Sequence, residues 1–130
     1  MIHQTIDIDQ YHWIVQVFLD SHGNDSEIIM SELYRLGIRG EQRARAEEHL
    51  QTAAYNSGMT YTCPEMRESV LVVGQSTSVR ETMDTFSHEL RHLVDDIALV
   101  CGIYSSGEEV AYLTGDIAFA VASALLQIVC

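Results

Sequence analysis

The segment Thr85-Phe86-Ser87-His88-Glu89-Leu90-Arg91-His92-Leu93-Val94-Asp95-Asp96-Ile97 carries two patterns at once. Phe86, Leu90, Leu93, Val94 and Ile97, continued by Cys101, recur at helical spacing and form an apolar stripe that can anchor a helix in a core. His88 and His92 stand four positions apart, so on that helix they share one face a turn apart. This face continues into Asp95 and Asp96. The motif reads H-E-x-x-H, and each histidine can point one imidazole nitrogen at a single metal ion. Glu89 is offset around the helix. It is close enough to hold a metal-bound water and too far round to be a natural third ligand. Two neutral nitrogen donors beside a carboxylate base are what a Zn2+-dependent hydrolase needs. The pattern therefore predicts His88 and His92 as metal ligands and Glu89 as general base.

Working outward, Thr77 or Ser78 is placed to cap this helix, with Glu81 completing a capping box after Ser78. Gly102 to Gly107 reads as a tight link to a final helix. Upstream, Ser69-Val70-Leu71-Val72-Val73-Gly74 is the clearest strand, and Tyr11 to Leu19 reads as another. Asp20 to Asp25 is a turn cluster. Helices are predicted over Ser26 to Leu36, ended by Gly37, and over about Glu41 to Tyr55, with Gly58 as a stop. Met59 to Thr62 is a short extended piece. Helices with a few strands out of regular alternation give an α+β domain.

The chain has 130 residues, enough for one domain, 1–130, with a hydrophobic core. Its formal net charge is −12. That balance repels nucleic acid and anionic membrane surfaces, so neither is expected as a partner. The N-terminus lacks the basic start and apolar run of a secretory signal, which leads to the expectation of a cytoplasmic protein. Cys63, Cys101 and Cys130 are odd in number and widely spaced, and read as reduced thiols. Val110 to Cys130 is rich in Ala, Leu, Val and Ile. Asp116 and Gln127 interrupt it and basic flanks are missing, so it reads as a buried helix and, second, as a contact in a homo-oligomer. His3, His12, His22 and His49 show no paired spacing, Trp13 reads as core, and Glu47-Glu48 as a solvated face.

Catalytic zinc usually takes three protein ligands. Glu108, in Gly107-Glu108-Glu109-Val110-Ala111, is the best third candidate. Fifteen residues separate it from His92, enough to finish the motif helix, turn, and return on an antiparallel helix. Glu109 is the alternative, and both acids also suit a helix N-terminus.

At these residues the chain resembles the gluzincin group of zinc metallopeptidases, which combine H-E-x-x-H on one helix with a glutamate ligand on the next. In thermolysin-like and aminopeptidase-like members a small residue follows that glutamate by three positions, as Ala111 follows Glu108. The stretches Asn56 to Tyr61, Arg67 to Gly74 and Thr85 to Glu89 also resemble small zincin-like proteins of gut bacteria and their phages. The resemblance implies a minimal zincin-like domain, a peptide or protein substrate, and an edge strand above the metal where an extended peptide docks. Ser69 to Gly74 lies in the right order to be that strand. Tyr104 and Tyr112 are candidate donors to a transition-state oxyanion, ahead of Arg91. The chain departs from the thermolysin pattern in having Tyr112 where an orienting aspartate is expected. Asp116, Asp95 or Asp96 would then have to orient a histidine. The chain is also short for a peptidase. Its alternative is a non-catalytic binding or assembly module of a phage or mobile element.

Overall fold

The computed structural model describes residues 1–129. They form an α+β domain with the element order β1 (Ile2–Ile8), β2 (Trp13–Ser21), α1 (Ser26–Arg35), α2 (Gly40–Thr52), β3 (Gly58–Cys63), β4 (Glu68–Gly74), α3 (Val79–Cys101) and α4 (Glu108–Val129). The sheet order is β1-β2-β4-β3. β2 and β4 run parallel in the middle, and the two outer strands are antiparallel to their neighbours.

Each strand is explained by what lies on its two faces. Val70-Leu71-Val72-Val73 of β4 is an unbroken apolar run because both faces are covered. Leu71 and Val73 join Val15, Val17 and Leu19 of β2 beneath α3 and α4. Val70 and Val72 join Phe18 on the opposite face, beneath α1 and α2. β1 alternates instead. Its even residues Ile2, Gln4, Ile6 and Ile8 turn inward, while His3, Thr5 and Asp7 are exposed. This strand was not expected from the sequence, although the period of two is present in it.

Other boundaries moved for local reasons. β2 begins at Trp13, because Asp9–Tyr11 forms a 3-10 turn closed by His12 in the left-handed region, with φ 51°. α2 ends at Thr52, where Ala53 adopts φ 48° as its C-cap. Gly58 does not stop that helix; it opens β3. The motif helix starts and ends where predicted, although of the expected capping box only the Ser78 half is among the described contacts. The Ser78 hydroxyl accepts from the Glu81 amide, and Gly102 caps the far end at φ 69°.

One expectation is corrected by strand order. Ser69 to Gly74 is an inner strand, paired on both sides. The edge beside α3 is β3, and among the described residues no strand pairs with its outer side. The final helix is also not buried all round. Val110, Leu113, Ile117 and Val121 face the core, whereas Tyr112, Phe119 and Leu126 are exposed. Cys130 lies outside the described residues.

Candidate metal centre

α3 lies over β3 and β4, and α4 lies over β1 and β2. The helical stripe read from the sequence is the one that anchors α3: Phe86, Leu90, Leu93, Val94 and Ile97 are all buried. That leaves His88 and His92 exposed on the flank of α3 turned away from the core. Their Nε2 atoms stand 3.1 Å apart, with the rings nearly perpendicular at 77°. Two nitrogens bound to one tetrahedral zinc at ordinary bond lengths are separated by about 3.3 Å. The two ring nitrogens are within hydrogen-bonding distance, with the donor set by the tautomer. The same geometry therefore suits either a shared proton or a shared metal ion.

Glu89 does something the sequence did not show. It is 6% exposed and tucked against the edge strand. The Thr60 hydroxyl donates to its Oε1 at 2.7 Å and also reaches its backbone carbonyl at 3.2 Å. About two turns further along α3, Thr62 repeats the contact, donating to Asp96 Oδ2 at 2.7 Å. The Thr62 hydroxyl accepts from Ser69 at 2.8 Å, and Ser69 accepts from the Trp13 indole at 3.0 Å. Residues Gly58, Thr60 and Thr62 thus alternate toward α3, while Met59 and Tyr61 pack with the opposite core. At Gly58 the backbone and helix come so close that a Cβ would stand 2.8 Å from Glu89 Cγ and 2.7 Å from the Val72 carbonyl oxygen. Gly58, Thr60 and Thr62 were not singled out as site residues. The signal available was the G-x-T-x-T period of two on a short strand.

The third ligand is not brought to the histidines. Among the described residues, no group of three or more His, Cys, Asp and Glu side chains is arranged to hold a metal ion. The reason is axial rise. α3 continues nine residues past His92, to Cys101, which is about 13 Å along the axis. α4 then starts at Glu108, level with that far end. Its direction is fixed by contacts with β1: Glu109 meets Tyr11 beyond the end of the strand, and the Ala120 carbonyl accepts from Gln4 near its start. The part of α4 that comes level with His92 is buried around Ile117.

The remaining candidates are also dispersed. Glu108 is exposed, four positions before Tyr112, and so shares its outward face. Tyr112 is 70% exposed on α4, and Tyr104 is 75% exposed in the link after α3. Neither is brought to the histidines. Glu109 accepts from the Tyr11 hydroxyl at 3.3 Å, and burial, with the Glu109 charge second, raises the Tyr11 pKa. Arg91 donates to Asp95 at 3.0 Å on the exposed side of α3. Asp116 lines a cleft with Ile6 to Gln10, away from α3. Of the aspartates that could orient a histidine, Asp96 is held by Thr62, and no hydrogen bond joins it to His92 among the described contacts. Cys63 is buried and Cys101 half-buried, both as free thiols.

His88 and His92 thus present two nitrogens at a spacing a shared metal ion could use, while the Glu89 carboxylate is buried against β3 on another side of α3. No protein-family model matches the chain, and no curated protein or solved structure matches it at a significant level, so any statement of its chemistry rests on these residues.

Proposed function

We propose that the chain is a small metal-dependent hydrolase acting on peptide or protein substrates, with His88 and His92 holding Zn2+ and Glu89 as general base. The observation that carries the proposal is the 3.1 Å approach of the two exposed Nε2 atoms, close to the spacing that a shared tetrahedral metal requires. A zinc ion held there would supply Lewis acidity and lower the pKa of water. Glu89 takes the proton of the attacking water and returns it to the leaving amine. The Thr60 hydroxyl fixes Oε1 of that carboxylate and leaves Oε2 for the proton. An extended peptide pairs with the outer side of β3, which carries its scissile bond past α3. With two protein donors, the site binds zinc more weakly than a three-ligand site, and its occupancy follows the free zinc concentration.

A second reading is favoured by two observations: Glu89 is buried as a fastening between α3 and the sheet edge, and Glu108 stands far from the histidines. In that reading the chain is a non-catalytic binding or assembly module of a phage or mobile element, and Glu89 is structural. Calorimetric zinc titration of wild type, His88→Ala and His92→Ala tests the metal site. Saturable one-to-one binding lost in both variants supports it, and equal binding by all three proteins overturns it. Cleavage of peptide libraries by zinc-loaded protein then separates the readings. The hydrolase loses about a hundredfold or more of its rate in Glu89→Gln while retaining zinc. Absence of cleavage by wild type favours the module.

A further inference from the structure

We propose that the outer face of α4 is the contact surface of a symmetric antiparallel dimer of this chain. By length and composition α4 could cross a membrane, yet only 28% of its most apolar window is buried within the fold. The exposed remainder is ordered. Tyr112, Gly115, Phe119, Ala122, Leu126 and Val129 follow the alternating three- and four-residue spacing of a coiled-coil seam. Tyr112 is 70%, Phe119 85% and Leu126 59% exposed. All six lie on the side of α4 opposite Leu113, Ile117 and Val121; Tyr112, Gly115, Phe119 and Leu126 are exposed, and Ala122 and Val129 are half-buried.

The sizes along this seam select the occupant. Large residues at 112, 119 and 126 alternate with small ones at 115 and 122. An antiparallel second copy sets Phe119 against the partner's Ala122 and Leu126 against the partner's Gly115, with Tyr112 against the partner's Val129 at the ends. Each bulky side chain then meets a small one. A parallel pair would stack Phe119 on itself and leave a void at the glycine layer. Gly115 supplies a separate observation. Glycine within a helix is destabilising relative to alanine, and a Cβ at Gly115 would meet nothing within 4 Å. No contact within the chain requires glycine there, whereas close approach of a partner's Leu126 does.

Charge points the same way. Residues 117–129 carry no charged side chain. In the antiparallel pair the two Asp116 carboxylates are nine residues apart along the seam, about 13 Å, beyond the screening length at physiological salt. In a parallel pair they would face each other. α4 has no Lys or Arg with which to grip lipid headgroups, and the chain's net charge of −12 opposes an anionic bilayer. The seam is about 26 Å long and buries on the order of 600 Å² per copy, at the lower limit for a stable interface. The dimer is therefore of moderate affinity. Because both copies are acidic overall, added salt tightens it.

Sedimentation equilibrium of the full chain across the micromolar range tests the proposal. The expected result is a monomer–dimer equilibrium that tightens at high salt. Phe119→Ser and Leu126→Ser, both at positions already exposed in the single chain, each weaken it about tenfold or more without altering the circular dichroism spectrum. Register is tested by oxidation in a Cys101→Ser, Cys130→Ser background. A mixture of the Phe119→Cys and Ala122→Cys proteins forms mainly the mixed disulfide. Monomer at every concentration overturns the proposal, as does a dimer indifferent to both serine substitutions. Preferential self-disulfide formation by Phe119→Cys overturns the antiparallel arrangement. Flotation of a monomeric protein with neutral phosphatidylcholine vesicles, abolished by Phe119→Ser, would assign the face to lipid instead.

Discussion

Replacing Gly58 with alanine adds one methyl group at the point where the edge strand and the motif helix are closest. In the present geometry that carbon would stand 2.7 Å from the Val72 carbonyl oxygen, 2.8 Å from Glu89 Cγ and 3.0 Å from Thr85 Cγ2. The first obstacle is backbone of the central β4, which cannot yield without disturbing its pairing on both sides. The second is the stem of the proposed general base. Overpacking of this kind costs about 1–3 kcal/mol. The lower chain entropy of alanine in the unfolded state offsets about 0.4–1 kcal/mol. The net loss is about 1–2 kcal/mol. For a chain of this length the entropy of unfolding is about 0.27 kcal/mol per degree, so Tm falls by about 4–7 °C. Thermal unfolding followed by circular dichroism measures this directly. Zinc titration of the same protein should be nearly unchanged, because His88 and His92 point to solvent on another side of α3. Any hydrolysis should fall as Glu89 is displaced. A Gly58→Ala protein that melts with wild type would mean that β3 and α3 are not held at this separation, and the account of how Glu89 is positioned would fail with it.

Thr60→Val keeps the side-chain shape and removes the hydroxyl that holds Glu89 Oε1. It should cost about 1–3 kcal/mol in urea unfolding, and no change would show that water serves the buried carboxylate equally well. Glu68→Ala removes one of two carboxylate partners of Arg35, whose Nη1 donates to Glu68 Oε1 at 3.2 Å at the start of β4 and whose Nη2 donates to Glu32 at 2.7 Å. Because Arg35 remains 43% exposed and can be resolvated, the expected cost is nearer 1–3 kcal/mol than the larger value for a fully buried pair, read as a shift in denaturation midpoint. Tyr11 holds its proton above the usual phenol value of 10.0, through burial first and Glu109 second. Its contribution to stability is therefore intact below pH 10 and is lost as pH rises through the folded value. In Glu109→Gln the Tyr11 ring resonance should titrate at lower pH than in wild type, and an unmoved midpoint would remove the Glu109 contact.

The parts of this fold legible in the sequence are those set by local periodicity. Phe86, Leu90, Leu93 and Ile97 marked the buried side of α3, and the histidines followed on another side from the pitch of the helix alone. Val70 to Val73 mark a strand, and their apolar character on both faces corresponds to its inner position in the sheet. β1 was legible too, but its inward row includes Gln4, whose amide reaches the Ala120 carbonyl 116 residues away, so its burial pattern is polar at one step. The candidate site divides in the same way. His88 and His92 are neighbours by helical geometry, and their meeting needed no tertiary information. Glu108 depended on where a second helix begins relative to the first, and loop length does not determine that. The nine residues of α3 beyond His92 carry the turn too far for the first residues of α4 to come back beside it. Thr60 and Thr62 depended on which strand lies outermost, a property of the whole sheet.

The hydroxyl line from the indole of Trp13 through Ser69 and Thr62 to Asp96 has a direction. Tryptophan can only donate and an ionised aspartate can only accept, so each proton between them has one place to be. The line crosses the sheet from β2 to its open edge and ends on α3. Trp13 is the chain's single tryptophan and is fully enclosed. The molecule therefore carries its own optical gauge of the edge strand: whatever pulls Thr62 away from Asp96 leaves the indole N–H with a loosened partner, and the fluorescence of one buried chromophore registers events on a surface two strands away.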